Sequence, residues 1–379
     1  MAANPDTFVK DVTNGPTLPE ITDALPAEVK YSQWKHVTDT EGKKKMKIVS
    51  HTATKVQFAD ILEEETEDFK QHVERVKIHY DQLKALKDRL PQNHAIVQMD
   101  FAENYTCQAS EEVQSAYWNA SMVTLHPVVS YMFHEDIMEH TSRVFLSDEL
   151  GHNSATVFAI MKKLVSEIKT VTPNLKHIHY YTDGPTSQYR NKSIFYIVSR
   201  HKSLFGVSAS WNYFEAGHGK GPCDGVGGSV KRMADEAVKQ RKVVIQDAHD
   251  FFSCTQQHMC ASSVSFIFVP QEDCKAAQQE IDSFGELKAL PGTMKIHAMA
   301  SLPDQPGQIV VRETSCCCER CFTLDSVSVD SPCKWQRHHL TEYQPPGKHI
   351  CRFHLRFKIP DGFFQIYKFK LLIFNSIRK

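Results

Sequence analysis

Between Val56 and Leu90 apolar residues recur mostly every three or four positions among charged ones, with Phe58, Ile61, Leu62, Phe69, Val73, Val76, Leu83, Leu86 and Leu90 on the pattern. That is the spacing of one helix face, and Pro91 ends it. The pattern predicts a helical region over residues 56–92, either one long helix or a helical hairpin, with His72 and His79 as structural histidines. Residues 1–55 read as a flexible arm. The first thirty are rich in Pro, Thr and Asp without periodicity, and the basic run Glu41–Lys47, EGKKKMK, reads as a solvated loop.

The texture then changes. Ala95–Met99 is an apolar strand ending in Asp100, Ser115–Phe133 is a second strand-like run broken by Pro127, and Arg143–Leu146 is a third. Together they predict a meander. Ser154–Val171 follows as an amphipathic helix with a Thr-Pro stop. Ile178–Tyr181 opens the stretch IHYYTDGPTSQYRNK and delivers Asp183 into a Gly-Pro turn. A helix is expected over Lys192–Leu204, a strand over Val207–Phe214 ending at Glu215, and a helix over Ser229–Gln240 after the glycine-rich loop AGHGKGPCDGVGG. These elements make a core over residues 93–255. Beyond it, a helix over Asp273–Phe284 and strands over Gly292–His297 and Gln308–Arg312 predict a C-terminal α/β extension over residues 256–345 that carries a small Cys-rich module. A basic aromatic tail occupies residues 346–379.

Composition narrows the classes. Lys and Arg number 44 against 45 Asp and Glu, a formal charge of -1 in 379 residues, so no global basic field draws the chain to nucleic acid. The N-terminal residues lack the apolar core of a signal peptide, and no apolar run approaches the roughly 18 residues of a membrane span. An intracellular protein without a membrane partner is expected. The sequons at Asn104, Asn119 and Asn191 are then chance matches. Eleven cysteines, five of them between Cys316 and Cys333, suit a reducing compartment and a metal cluster better than disulfides. Cys316, Cys318 and Cys321, with Cys333 further on, form a CxCxxC…C set with the chemistry of a closed structural Zn²⁺ site. His338 and His339 are alternative last ligands, and Cys317 is expected to point away.

MDFAENY, YTDGPTSQYRNK, WNYFEAGHGKGPCDGVGG and DAHDFF, spread over Met99–Phe252, resemble a group of largely uncharacterised animal proteins of transposon-derived type. The order of strands and helices, with acids at the ends of the first and fourth strands, also resembles the ribonuclease H-like superfamily of DDE transposases and integrases. That resemblance implies a mixed α/β sheet flanked by helices, with Asp100 and Asp183 leaving adjacent central strands at the same end. It also implies DNA as partner and a nuclear location, and leaves assembly into homo-oligomers open.

The chemistry implied is two-metal phosphoryl transfer, in which carboxylates converge on Mg²⁺ or Mn²⁺. Asp100 and Asp183 are the expected catalytic metal ligands. The family pattern favours Asp224, just before the last helix, as the third acid, and Glu215 at the end of the fifth strand is its alternative. Asp224 would otherwise serve as a helix cap. His218, Lys220 and Arg190 are candidate phosphate contacts, with a loop of structural glycines and a polar helix start as the plainer readings. No GxSxG, HExxH or Walker pattern offers a competing chemistry. A different class stays open beside the nuclease: a domesticated protein that keeps the fold and binds nucleic acid or a partner without turnover.

Overall fold

The computed structural model describes residues 18–40, 42–107, 121–259, 263–302, 305–318, 321 and 336–340. Cys333 and the tail lie outside the described residues. The chain divides into two compact units, one running to Lys77 and the other from Ile78 to Pro345. Helix α2 (Lys55–Asp88) is continuous across the division as a single helix.

The first unit corrects the expectation of a flexible arm over residues 1–55. After a short helix α1 (Leu18–Asp23) come strands β1 (Glu28–Thr38) and β2 (Lys44–Thr54), paired antiparallel from Glu28 opposite Thr54 to Thr38 opposite Lys44. Val29, Tyr31, Ala53 and Phe58 bury a small core there. Alternation of Val29 and Tyr31 with polar neighbours carries this strand. The basic run that read as a loop lies partly in β2. In the turn, Gly42 adopts φ 78°, a left-handed conformation that glycine enters without strain, and the Lys43 amide donates to Asp39 Oδ1 at 2.9 Å.

The second unit is mixed α/β: a mixed sheet flanked by helices. Its strands are β3 (His94–Met99), β4 (Tyr105–Thr106), β5 (Met122–His134), β6 (Ile137–Ser147), β7 (His177–Thr182), β8 (Ser208–Tyr213), β9 (Val264–Phe268), β10 (Ala298–Ser301), β11 (Gln308–Arg312) and β12 (Gln336–His339). In space they run β12-β11-β10-β8-β7-β3-β5-β6-β9, with β4 on β5. β3, β5 and β6 form the antiparallel meander, and β5 continues through Pro127 instead of breaking there. β7 lies parallel to β3, and β8 lies parallel to β7.

The C-terminal segment extends the same sheet. β10, β11 and β12 continue the sheet beyond β8, and β9 adds to its far edge alongside β6. The stretch 292–297, expected as a strand, is a 3₁₀ turn at Thr293–Lys295 followed by β10. Unpaired edges of β6 and β8 would leave backbone groups open, and these later strands satisfy them.

The helices are α3 (Ser154–Val171), α4 (Lys192–Ser199), α5 (His201–Phe205), α6 (Pro222–Lys239), α7 (Ala248–His258) and α8 (Gln271–Asp282). α3 matches its expected span because both ends are encoded locally: Asn153 Oδ1 accepts from the amides of Ala155 and Thr156. The helix expected over 192–204 is two, interrupted at Arg200, and Gly206 at φ 75° ends the second. α6 begins seven residues earlier than its apolar pattern suggests, because Pro222 at its first turn and the Asp224 carboxylate nucleate it.

Ile178 and Tyr180 of β7 face the core made with α3 and α4, while Tyr181 joins Leu83, Leu86 and Leu90 and Ile96 on the other face. Both faces of β7 are therefore buried, which is why its run reads apolar and aromatic without clean alternation. Leu86 is fully buried, so Leu86→Ala is expected to cost about 2–5 kcal/mol of stability, read from urea unfolding midpoints.

Candidate functional site

The last paired residues of β3 and β7 are Gln98 and Tyr181, facing each other in a parallel ladder. Two residues further along each strand stand Asp100 and Asp183. Equal offsets in a parallel register bring the two acids out side by side at the same end of adjacent strands. Both are only partly solvent-accessible.

The electrostatics follow from that placement. Burial first, then the charges of Asp183 and Asp224, push the Asp100 carboxyl up to about 8, against a backbone hydrogen bond from Phe101. Burial pushes Asp183 up to about 6, with Arg190 pulling it down and Asp224 pushing it up. Asp183 Oδ1 is buried and makes no hydrogen bond to any described residue. A buried carboxylate oxygen left in this way is open to a cation or a water.

The glycine-rich loop closes over this pair. A Cβ on Gly219 would stand 2.6 Å from Asp183 Cβ, so the loop backbone rests directly on the acid. Tyr80 Oη donates to the His218 carbonyl at 2.8 Å and holds the loop from α2. α6 then starts against the end of β3: the Cys223 thiol donates to the Gln98 carbonyl at 3.3 Å. A Cβ on Gly227 would meet Pro127 at 3.1 Å and Ala102 at 3.2 Å. Any larger residue there would lift the helix off the strand ends. Tyr189 is fully buried beside both acids, its hydroxyl 2.9 Å from His126 Nε2, and burial with the charges of Asp100 and Asp183 raises its pKa well above the ordinary tyrosine value.

The other expected site residues are distributed as follows. Asp224 is exposed in the first turn of α6, where Oδ2 accepts from the Gly221 amide at 2.8 Å, and it lies near enough to raise both Asp100 and Asp183. Glu215 is buried and turned to His297, Oε2 lying 2.8 Å from Nε2. Arg190 is a correction to the phosphate-contact expectation. Its side chain is buried, donates from Nη1 to the Met294 carbonyl at 3.0 Å, and packs on the Tyr213 ring. A Cβ on Gly184 would lie 2.6 Å from its guanidinium. It acts as an internal counter-charge to Asp183 and Glu215. Lys220 is exposed and His218 half-buried on the loop. Asn191, read as part of a polar helix start, caps α4.

Among the described residues two groups of three have donor atoms all within 4.8 Å of one another: Cys316, Cys318 and Cys321, and His79, Glu215 and His297. Asp100, Asp183 and Asp224 do not form such a group. Cys318 and Cys321 sulfurs are 3.6 Å apart, and Arg312 Nη1 lies 3.7 Å from Cys321 Sγ. Hydrogen bonding from Cys321 leads in drawing Cys316 down to about 4, with help from Arg312. Cys317 turns away as expected, buried beside the Tyr181 hydroxyl. A small cavity of about 30 Å³ separates the thiols from His177 and His179 of β7. Burial holds both histidines well below their ordinary pKa, hence neutral, and His179 Nδ1 lies 2.8 Å from Ser210 Oγ.

The grouping of His79, Glu215 and His297 was missed from sequence. Its members are separated by more than 80 residues at the nearest, and no local spacing marks them. One weak signal existed: a buried acid and a histidine each falling within three residues of a strand end.

The fold and this geometry together define a mixed α/β protein with paired acids at the ends of adjacent parallel strands. Residues 79–315 match the domain of unknown function DUF8701, and the chain belongs to that family. No curated protein and no solved structure matches it.

Two outcomes test the site. Asp100 and Asp183 hold protons more tightly folded than unfolded, so the stability linked to them is complete below about pH 4 and is lost as pH rises through about 6 and about 8. Thermal melts in chelator are expected to fall across that window, and Asp100→Asn is expected to flatten the fall. Gly219→Ala is expected to lose about 1–3 kcal/mol in urea unfolding, because the loop must rise off Asp183.

Proposed function

We propose that this chain is a transposon-derived, ribonuclease H-like protein of transposase or integrase type that cleaves or joins DNA strands on Asp100 and Asp183. The single observation that carries the reading is the pair of half-buried acids at equal offsets beyond parallel β3 and β7. The succession over residues 94–239 also supports it: three antiparallel strands, a helix, a parallel strand, two short helices, another parallel strand and a helix. This is the order the resemblance implies, with α4 and α5 in place of one helix.

Mg²⁺ or Mn²⁺ fits the donor set, because hard carboxylate oxygens are what these ions take and Asp183 Oδ1 is a buried oxygen with no hydrogen-bond partner among the described residues. Asp100 and Asp183 would hold the ions, with Asp224 a further carboxylate close enough to raise both. When bound, the ions activate an attacking water or 3′-hydroxyl and stabilise the leaving oxygen. The chain's own residues prepare that site. Like charges held together in a partly buried place favour a bound cation over bound protons as pH rises. The loop 216–221 rests on Asp183, and its exposed Lys220 and half-buried His218 are available to a phosphate backbone. A nuclear location belongs to the same reading.

Cys316, Cys318 and Cys321 would hold a structural Zn²⁺, three convergent thiols being a donor set for that ion. The fourth ligand expected from sequence, Cys333, lies outside the described residues.

A second reading, a domesticated binding protein without turnover, is favoured by one observation: Asp224 is exposed and engaged in capping α6. Nicking of supercoiled plasmid decides between them. Metal-dependent nicking that falls at least about 10³-fold in Asp100→Asn and Asp183→Asn is expected, since losing a metal ligand removes several kcal/mol of transition-state stabilisation. DNA binding unchanged by both substitutions, without nicking in the parent protein, would establish the second reading.

A further inference from the structure

Glu215, the alternative third acid, faces away from the carboxylate pair into a buried cluster of its own. It follows β8 by two residues, His297 immediately precedes β10, and His79 stands on α2. All three are buried, with 7%, 6% and 1% of their surface exposed. One donor atom from each lies within 4.8 Å of the others.

The hydrogen bonds orient the rings. His297 Nδ1 is 3.1 Å from the Lys295 carbonyl, and a carbonyl only accepts, so Nδ1 carries the proton. In the neutral ring Nε2 then presents a lone pair, and it does so 2.8 Å from Glu215 Oε2. A lone pair and a carboxylate oxygen at that distance repel unless positive charge sits at their junction. A proton on Nε2 would satisfy His297 and Glu215 but leaves unexplained why a third donor converges. His79 Nδ1 is held by Ser315 Oγ at 2.9 Å. Both histidines thus have the partner on Nδ1 that orients metal-ligating imidazoles.

We propose that His79, Glu215 and His297 form a second, buried site for a divalent transition-metal ion of the zinc class, separate from the acid pair and from the thiols. Two imidazoles and one carboxylate are borderline donors that suit Zn²⁺ or Co²⁺ better than Mg²⁺. Arg190 is the cation that Glu215 and Asp183 share. Glu215 supplies the negative charge among the three ligands. The ion ties α2 to the exit of β8 and the entry of β10. Tyr80, the neighbour of His79, holds the His218 carbonyl of the loop over Asp183, so the site anchors that loop. It stands whether or not the acids cleave DNA.

The test uses the full-length chain carrying Cys316→Ser, Cys318→Ser and Cys321→Ser, loaded with Co²⁺, dialysed and counted by mass spectrometry of the metal. One equivalent is expected to remain, with visible ligand-field bands and no thiolate-to-cobalt charge transfer. Adding Glu215→Gln or His297→Gln is expected to lower retention at least about tenfold with the circular dichroism unchanged. No retained metal in the folded triple-serine chain, or retention indifferent to Glu215→Gln and His297→Gln, would overturn the site. If the serine chain does not fold, the parent chain decides by spectrum. Nitrogen–oxygen ligand-field bands lost with Glu215→Gln sustain the proposal, and a purely thiolate spectrum overturns it. Asp100→Asn and Asp183→Asn are expected to keep this metal, which separates its fate from that of the nuclease reading.

Discussion

The parallel register between β3 and β7 is the constraint on which the site depends. Because His94 pairs with His177 and Gln98 with Tyr181, the two strands end in step, and the acid beyond each is forced beside the other. Burial raises both carboxyls, and the charge of Asp183 raises Asp100 further, so the ionised state is penalised. Such an arrangement lowers stability near neutral pH unless a cation enters. The strands cannot slip to relieve it. A one-residue shift would turn Tyr180 and Tyr181 to opposite faces, and both faces are packed.

Around that pair the chain brings backbone unusually close. Gly219 lies against Asp183, and Gly227 lets α6 settle onto Ala102 and Pro127. These contacts give the glycine-rich stretch a packing role as well as a loop role. Arg190, buried among Tyr213, Glu215 and Asp183, links the acid pair to the histidine–glutamate cluster electrostatically.

How much was legible in the chain itself varies with the range of the interactions. α3 was readable to the residue because its apolar face and its Asn153 cap are local. β11 was readable for the same reason, as a short apolar run between turns. The β1–β2 hairpin was missed because only Val29, Tyr31 and Ala53 are buried in it, too few to raise an alternating signal above its many charged positions. The start of α6 was missed because glycines mask a helix whose nucleation comes from Pro222 and Asp224. The C-terminal extension could be placed on no particular sheet edge from its sequence, because nothing local says which strand it joins, and β9 and β12 were not read as strands at all.

The chain alone determined the acids at strand ends, α3, the order of the principal strands and helices from β3 to α6, and the thiol spacing, since each depends on residues a few positions apart. Tertiary structure decided which acids meet and which turn away. It drew Glu215 to His297 and His79, buried Arg190 as an internal counter-charge, and joined the C-terminal strands to the central sheet. Those outcomes depend on pairing and burial between residues tens to hundreds of positions apart. Backbone hydrogen bonding and the cost of an unpaired buried charge select among partners that local sequence leaves equivalent.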